Sequence, residues 1–484
     1  MRLRATHLAA AIGVATVLGS CRAPAPADPR MVSEWVHTLY GILRAERVSP
    51  PVASRFLGYA SLALYEGLAA ATPDMPSLAP SLNRPPVLPG IPEGVALDPT
   101  LVANEAERTV IDSLLGEALA ATRATLGSLV DSLRRTRTSA GVSEAVVTQS
   151  EELGRRIGNA IVAWSRTDGF DSTRTMVYVP PVGPGLWVND APGHVYAAQN
   201  LSGATQFVAL DNPANTLRSD NVSDRGLILN RPKRAGVTTL PALDMAGTSE
   251  PYWGRIRPFV LKSWDECPLA PPPAFGTTKD APLYQEALEV YETRKHLTPE
   301  QKMIALFWAD NPGETATPAG HWVAIGAQMA DRLGLSAEES ARLFVLSSFA
   351  TADAFIASWG YKYKHNLIRP RTYIRQVIDP EWEPLVPTPP FPEYPSGHST
   401  QSAASALILK AMIGDQAFED STEMAIGHPV RRFVSFDSAA EQAGWSRIYG
   451  GIHFHAGKTG GRSLGACVGQ KILERAGATG AGGR

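Results

Sequence analysis

Three short stretches hold the residues best suited to grip an anion. They are Lys362 and Arg369 in WGYKYKHNLIRPR (359–371), Ser396, Gly397 and His398 in FPEYPSGHST (391–400), and Arg447 and His453 in SRIYGGIHFH (446–455). A lysine and an arginine seven residues apart project from one face of a helix that Pro370 ends, and two cations on one face call for an anion. The plainer alternative is a solvated basic surface, because Lys364 and Arg371 lie nearby. In the second stretch Pro395 and Gly397 turn the chain. The small and apolar residues after His398 read as a tightly packed helix, whose first N–H groups favour an anion beside the Ser396 hydroxyl. Gly397 lets the backbone come close to such a guest, although a capped core helix with an incidental histidine would read the same way. In the third stretch Arg447 and His453 do not share a helical face, so the Gly450-Gly451 pair must break the helix to turn both toward one point. His453 and His455 face opposite ways on a helix, so only one of them can serve a helical site. His-x-His with His398 or His321 is also a candidate zinc set, but it would leave the three cations without a role beside a cationic metal.

The chain has 484 residues, 44% of them hydrophobic, enough to bury a large core. Lysine and arginine number 45 against 47 aspartates and glutamates, a net charge of −2, so no global positive field draws the protein to nucleic acid and any anion site must be local. The N-terminus carries a basic MRLRATH segment, a short apolar run from Leu8 to Leu18, and Leu18-Gly19-Ser20-Cys21. That pattern reads as a lipoprotein-type signal with Cys21 as the lipidated residue, the alternative being an ordinary secretory signal with an incidental cysteine. The expected location is a lipid anchor on a bacterial envelope membrane, facing the periplasm or the exterior. No other apolar stretch of about 18 residues or more stands out as a membrane span. In an oxidising compartment Cys267 and Cys467 pair or remain two buried thiols.

The elements that must position these residues are mainly helical, and the fold class read from the sequence is all-α. Val32, Trp35, Val36, Leu39, Tyr40 and Leu43 repeat at three and four, and further helices are expected at about 52–71, 99–137 and 143–166. Residues 167–275 are rich in proline and glycine without lasting periodicity; Trp187, Tyr252, Trp253 and Phe259 imply that this loop region packs on something. Capping boxes at Thr298/Gln301 and Ser336/Glu339 restart helices. The expected division is a signal at 1–21, a tether at 22–30, an N-terminal helical region at 31–166, the irregular region at 167–275, a catalytic bundle at 276–476 and a tail at 477–484.

Taken in order, K-x6-R-P, P-S-G-H and S-R-x5-H resemble the superfamily of vanadium-dependent haloperoxidases and type 2 phosphatidic-acid phosphatases. TPEQKMIALFWADNPGETATPAGHW (298–322), ADAFIASWGYKY (352–363) and SPPVASRFLGYASLALYEG (49–67) are similar to its bacterial haloperoxidase-like branch. The resemblance implies a helical bundle and a vanadate cofactor held by Lys362, Arg369, Ser396, Gly397 and Arg447. It implies His453 as the vanadium ligand or phosphoryl-accepting nucleophile, and His398 as general acid/base. Five-coordinate vanadate has the shape of a phosphoryl-transfer transition state, so one site suits either chemistry. Hydrogen peroxide and halide are the implied substrates, with Lys362 polarising the peroxide; an acid phosphatase is the alternative. Trp359 and Phe391 match positions beside the halide, and Asp310 matches a carboxylate expected to orient Arg369. The family often has an aspartate four after the final histidine, where this chain has Gly457, so the second nitrogen of His453 must find another acceptor such as a backbone carbonyl. Whether the chain forms a homodimer stays open.

Overall fold

The computed structural model describes residues 26–91, 94–116, 118–173, 176, 178–188, 195–199, 205–209 and 249–477. Cys21, the signal-like segment, the start of the tether and nearly all of the tail lie outside the described residues. Helices dominate, as the sequence implies; the described strands form two small antiparallel pairs, β1 (Val195–Gln199) with β2 (Thr205–Ala209), and β3 (Phe418–Asp420) with β4 (Arg431–Phe433).

The N-terminal layer is α1 (Met31–Ala45), α2 (Pro50–Ala71), α3 (Pro99–Leu115), α4 (Ala120–Ser139) and α5 (Glu144–Ser165). The single helix expected across 99–137 is two helices, because Gly116 adopts φ 56° and leaves helical space before Ala120. The second half is built from α6 (Pro282–Lys295), α7 (Pro299–Phe307), α8 (Thr317–Leu333), α9 (Ala337–His365), α10 (Pro370–Val377), α11 (Gly397–Ile413), α12 (Phe436–Tyr449) and α13 (His455–Ile472). Both capping boxes form: Thr298 and Gln301 exchange bonds of 2.9 and 3.2 Å at the start of α7, and Ser336 and Glu339 exchange 3.0 and 3.2 Å at the start of α9.

α9 is the central element. It is the one described helix long and apolar enough to cross a membrane, a signal the sequence reading passed over, yet 94% of its apolar window is buried inside the protein. It therefore serves as a core helix. α2, α8, α11 and α13 pack around it in one apolar cluster containing Phe344, Phe349, Phe355 and Trp359, each worth about 1.5–3 kcal/mol of burial.

The irregular region is tied to this core at named points. Asp353 of α9 accepts the backbone N–H groups of Phe259, Val260 and Leu261 at 2.7, 2.9 and 2.8 Å. Phe259 stacks on Phe349 with ring centroids 5.0 Å apart. Trp187 and Trp253 are buried, and Trp187 donates its amide to the Asn366 carbonyl at 2.7 Å. Cys267 and Cys467 form a disulfide joining this segment to α13.

α13 approaches α11 unusually closely. A Cβ on Gly465 would lie 1.9 Å from the Thr400 carbonyl oxygen, and one on Gly461 would lie 2.6 Å from the Ser396 carbonyl oxygen. Glycine at these positions lets the N-terminus of α11 and the loop before α13 meet.

Candidate active site

Lys362 lies in the last turn of α9, but Arg369 is not on that helix. Asn366 adopts φ 48°, ψ 40° and stops α9, and Arg369 stands extended at φ −82°, ψ 155° as the residue before Pro370, the conformation that proline imposes on its predecessor. The one-face reading of this pair is thus corrected. The two cations reach one place because the 366–368 link is clamped, with Ile368 N–H bonded to the Gly185 carbonyl at 2.9 Å and Leu367 bridged to Leu186.

Ser396 caps α11, its hydroxyl accepting the Ser399 amide at 3.3 Å and its own amide donating to the Gly457 carbonyl at 2.9 Å. Gly397 is fitted against Trp359, since an added Cβ would lie 3.2 Å from that indole. α12 ends at Tyr449, and Gly451 at φ 77° turns the chain so that Arg447 and His453 face the same space. His453 sits in the turn before α13. His455 starts that helix and bonds Glu289 at 3.1 Å, so His453 and His455 do not form a zinc set with His398.

These segments surround the floor of a cleft of about 380 Å³, whose lining includes Trp359, Phe391, Gly397, His398, Arg447 and His453. Lys362 and Arg369 are fully buried just behind it. Lys362 Nζ donates to the carbonyls of Pro392 and Glu393 at 3.0 and 2.9 Å and lies 5.1 Å from the Phe391 ring. Burial, then Arg369, presses its pKa well below the usual lysine value. Arg369 donates to the carbonyls of Phe391 and Ile452, each at 2.8 Å, and approaches His453 Nε2 at 3.2 Å. Arg447 donates to the Trp308 carbonyl, and burial lowers its pKa to about 10.

His453 has a carboxylate partner after all. Its Nδ1 lies 2.7 Å from Glu393 Oε1, which also accepts the Phe454 amide at 2.9 Å. The backbone carbonyl anticipated from the sequence is replaced by this side chain. Gly457 is what admits it: a Cβ there would lie 2.2 Å from Glu393 Oε1. Burial raises the Glu393 carboxyl to about 7 against the pull of Lys362 and Arg369. Burial, and then Arg369, Lys362 and Arg447, hold His453 well below the usual histidine value. With Nδ1–H donated to Glu393, Nε2 presents a lone pair toward the cations.

Asp310 does not orient Arg369. It is buried with Oδ1 2.9 Å from His321 Nδ1 and Oδ2 3.6 Å from His398 Nε2. The far side of His321 meets Asp420 Oδ2 at 2.9 Å, and the ring stacks on Trp308 at 4.6 Å. Burial opposes the charge on His321, but Asp310 and Asp420 win and raise its pKa well above the usual value. Burial would likewise raise Asp310, yet the His321 charge holds it well below the carboxylate range. His398, desolvated and near Arg447, falls to about 4 and is neutral at ordinary pH.

Sequence reasoning missed Glu393, Asp420 and the His321 bridge. A lone glutamate inside the apolar FPEYP run was the available signal for Glu393; the acids of 420–423 give none.

The residues present fit a multiply charged oxyanion. Arg447 Nε is buried without a hydrogen-bond acceptor among the described residues, and three buried cations, an open helix N-terminus and a neutral imidazole nitrogen converge there. Such a guest supplies the missing acceptors.

Residues 342–480 match the family model of the VCPO second helical-bundle domain. The fold is similar to the crystal structure of the first bacterial vanadium-dependent iodoperoxidase, with 31% identity over 93% of this chain and 97% of that one, at a TM-score of 0.76. It is also similar to holo- and apo-type bacterial vanadium-dependent chloroperoxidase, with 15% and 14% identity and TM-scores of 0.64 and 0.62. Those matches cover 94% and 90% of this chain, and 98% and 95% of the others. No curated protein matches the sequence.

Proposed function

Because this chain belongs to the vanadium-dependent haloperoxidase family, we propose that its cleft holds vanadate and uses it to oxidise halide with hydrogen peroxide to hypohalous acid or an equivalent halogenating species. The observation that carries this is the meeting of Lys362, Arg369, Arg447 and the α11 N-terminus around an unprotonated His453 Nε2 backed by Glu393.

Bound vanadate supplies a Lewis-acidic centre that makes peroxide electrophilic toward halide without a change in the metal's oxidation state. The chain's own groups do the rest. Lys362, Arg369 and Arg447 neutralise oxyanion charge, and the Ser396 hydroxyl and Gly397 amide add hydrogen bonds. His453 Nε2 would offer its lone pair to the vanadium, its ring fixed by Glu393. Neutral His398 is placed to take a proton from incoming peroxide and pass it to the oxygen that departs as water, with Asp310 3.6 Å from its Nε2 to stabilise the transient imidazolium. Lys362 donates a further N–H toward the peroxide.

One observation favours a second reading, an acid phosphatase in which His453 takes a phosphoryl group while His398 protonates the leaving alcohol: the Glu393–His453 pair gives a nucleophilic imidazole the carboxylate it needs. Purified protein loaded with orthovanadate separates the two. The haloperoxidase converts iodide or bromide only with both peroxide and vanadate, and loses this in His453→Ala but not in His455→Ala. Loaded protein that leaves halide untouched, yet releases phosphate from p-nitrophenyl phosphate when vanadate is removed, overturns the first reading. Export and lipid anchoring at Cys21 remain proposals as well; Cys21→Ser would move the protein from the membrane fraction to the soluble one.

A further inference from the structure

His398 needs more than reach to act as a base. Its ring must present a lone pair to the cleft, and which nitrogen does so is decided by what the other one meets. Nε2 is buried with Asp310 Oδ2 3.6 Å away, and neither atom has a hydrogen-bond partner among the described residues. The side chain is 16% exposed and lines the cleft, so Nδ1 is the nitrogen left for a guest. An ionised Asp310 opposite Nε2 favours the tautomer with its proton there, and 3.6 Å is the loose contact of an empty site that tightens once the ring is charged.

What keeps Asp310 in this place lies outside the cleft. Its backbone takes φ 52°, a left-handed conformation that the chain does not favour by itself. His321, near the start of α8, supplies the hold: its Nδ1 meets Oδ1 at 2.9 Å, which leaves Oδ2 to face His398. His321 Nε2 meets Asp420 Oδ2 at 2.9 Å, and the ring lies on Trp308 with centroids 4.6 Å apart, so it cannot swing. Glu423 Oε1 stands 3.8 Å from the same Nδ1, but it accepts the Tyr40 hydroxyl at 3.0 Å, and burial raises its carboxyl to about 8. Asp310 is therefore the acid that Nδ1–H selects. Buried ion groups repay little of the solvation they lose, so Asp310, His321 and Asp420 gathered behind one histidine point to a role in the site.

Resting on the haloperoxidase reading, we propose that His321 is a positioning residue of the reaction: anchored by Asp420 and Trp308, it aims Asp310 at His398 Nε2 and so leaves Nδ1 to take the proton of incoming peroxide. His321 is not part of the cleft lining and acts through Asp310. Its positive charge keeps Asp310 negative, since burial would otherwise neutralise that carboxyl. When Nδ1 gains the proton, the charged ring closes on Asp310. When the proton passes to the oxygen that departs as water, the contact relaxes.

Nitrogen NMR of vanadate-free protein, labelled in histidine, reads the tautomer. At neutral pH His398 should carry its proton on Nε2 with Nδ1 bare; a proton on Nδ1 overturns the inference. Vanadate-loaded protein gives the kinetic test. A positioned acid–base group supplies roughly 10²–10⁴-fold in rate, so His321→Asn and Asp310→Asn should each lower kcat for iodide oxidation by about tenfold or more. KM for iodide, and vanadate affinity by calorimetry, should change far less than kcat. Adding His321→Asn to Asp310→Asn should cost nothing further, because the effect runs through that carboxylate. Equal losses in both backgrounds overturn the inference, as does an unchanged kcat in His321→Asn. Should His321→Asn fail to fold, Asp420→Asn, which keeps a hydrogen-bond acceptor for His321, carries the same cycle: a smaller fall in kcat, again absent beside Asp310→Asn. Iodide oxidation by the wild type tests the underlying reading separately. Oxidation with the His398 proton on Nδ1 sinks only the positioning role, whereas a proton on Nε2 in protein that leaves iodide untouched sinks only the haloperoxidase.

Discussion

Placing a methyl group at Gly457 tests the most distinctive feature of the site. In Gly457→Ala the new Cβ would stand 2.2 Å from Glu393 Oε1 and 2.9 Å from its Cδ. The carboxylate cannot retreat without loss, because Oε1 holds both His453 Nδ1 at 2.7 Å and the Phe454 amide at 2.9 Å. Overpacking of this kind costs about 1–3 kcal/mol, visible in urea unfolding. Displacing the carboxylate forfeits charge-assisted hydrogen bonds worth about 1.5–3 kcal/mol, and that part falls on His453. Deprived of its acceptor, the imidazole loses its fixed orientation and the basicity of Nε2, so vanadate affinity by calorimetry should drop about 10–100-fold. Glu393→Gln isolates the charge. Its amide oxygen still accepts both bonds, so the loss is the difference between a charged and a neutral acceptor, about 1 kcal/mol or fivefold in affinity. Its new NH2 replaces Oε2, which is buried without a partner among the described residues, and so adds a stability cost of its own. The double variant Glu393→Ala/Gly457→Asp moves the carboxylate to four residues after His453 and should bind vanadate better than Glu393→Ala alone. If Gly457→Ala and Glu393→Gln both bind vanadate like the wild type, the carboxylate does not support the histidine and the reasoning fails.

Three further outcomes follow from the same geometry. Arg447→Lys removes the planar donor set that reaches the Trp308 carbonyl and the cleft together, and should weaken vanadate binding about 10–100-fold, read by calorimetry. His321 carries a pKa raised well above the ordinary value near 6.5, so its contribution to stability is complete below that value and fades as pH rises through the higher folded value. The stability lead of the wild type over His321→Asn in urea should therefore shrink toward alkaline pH, and a lead that stays constant would refute the charged bridge. Gly465→Ala sets a Cβ 1.9 Å from the Thr400 backbone carbonyl oxygen, which cannot rotate away, and should cost about 3 kcal/mol or more. Because it wedges α11 from α13, vanadate affinity should fall too, although Gly465 is not part of the cleft lining.

How far the sequence carries depends on the kind of signal. Periodicity and hydroxyl-to-Gln/Glu spacing are local, and the starts of α7 and α9 were readable because each capping box closes within four residues. The Lys362–Arg369 spacing misled, since periodicity cannot tell a continuing helix from one that Asn366 stops before a proline. Glu393 was hidden for a different reason. Its partner His453 is 60 residues away, and the traces of the pairing are a lone glutamate in an apolar run and a glycine where an acid was expected. The Asp310–His321–Asp420 bridge leaves no trace at all, being made of three residues whose neighbours in the chain say nothing of burial.

The net charge of −2 conceals how this site works, because what matters is where water is absent. Lys362, Arg369 and Arg447 are buried within one neighbourhood, and burial presses Lys362 well down and Arg447 to about 10. Cations held so are poorly solvated by anything the chain itself provides, so a guest with several negative oxygens interacts with them in a medium that screens weakly. The same dryness explains the position of the acids. Glu393 stands behind His453, where it orders the ring, and Asp310 stands behind His398, where it meets a proton as it arrives. Both acids act through a histidine that faces the anion, although Asp310 also reaches the cleft lining. Close packing of α13 on α11 is what makes this arrangement available, since it brings the Ser396 amide to the Gly457 carbonyl at 2.9 Å and leaves space beside that glycine for a side chain from the other strand of the loop. The anion grip is therefore a consequence of backbone proximity between two helices, and the chemistry-bearing residues are readable in the sequence only because that proximity fixes where they must lie.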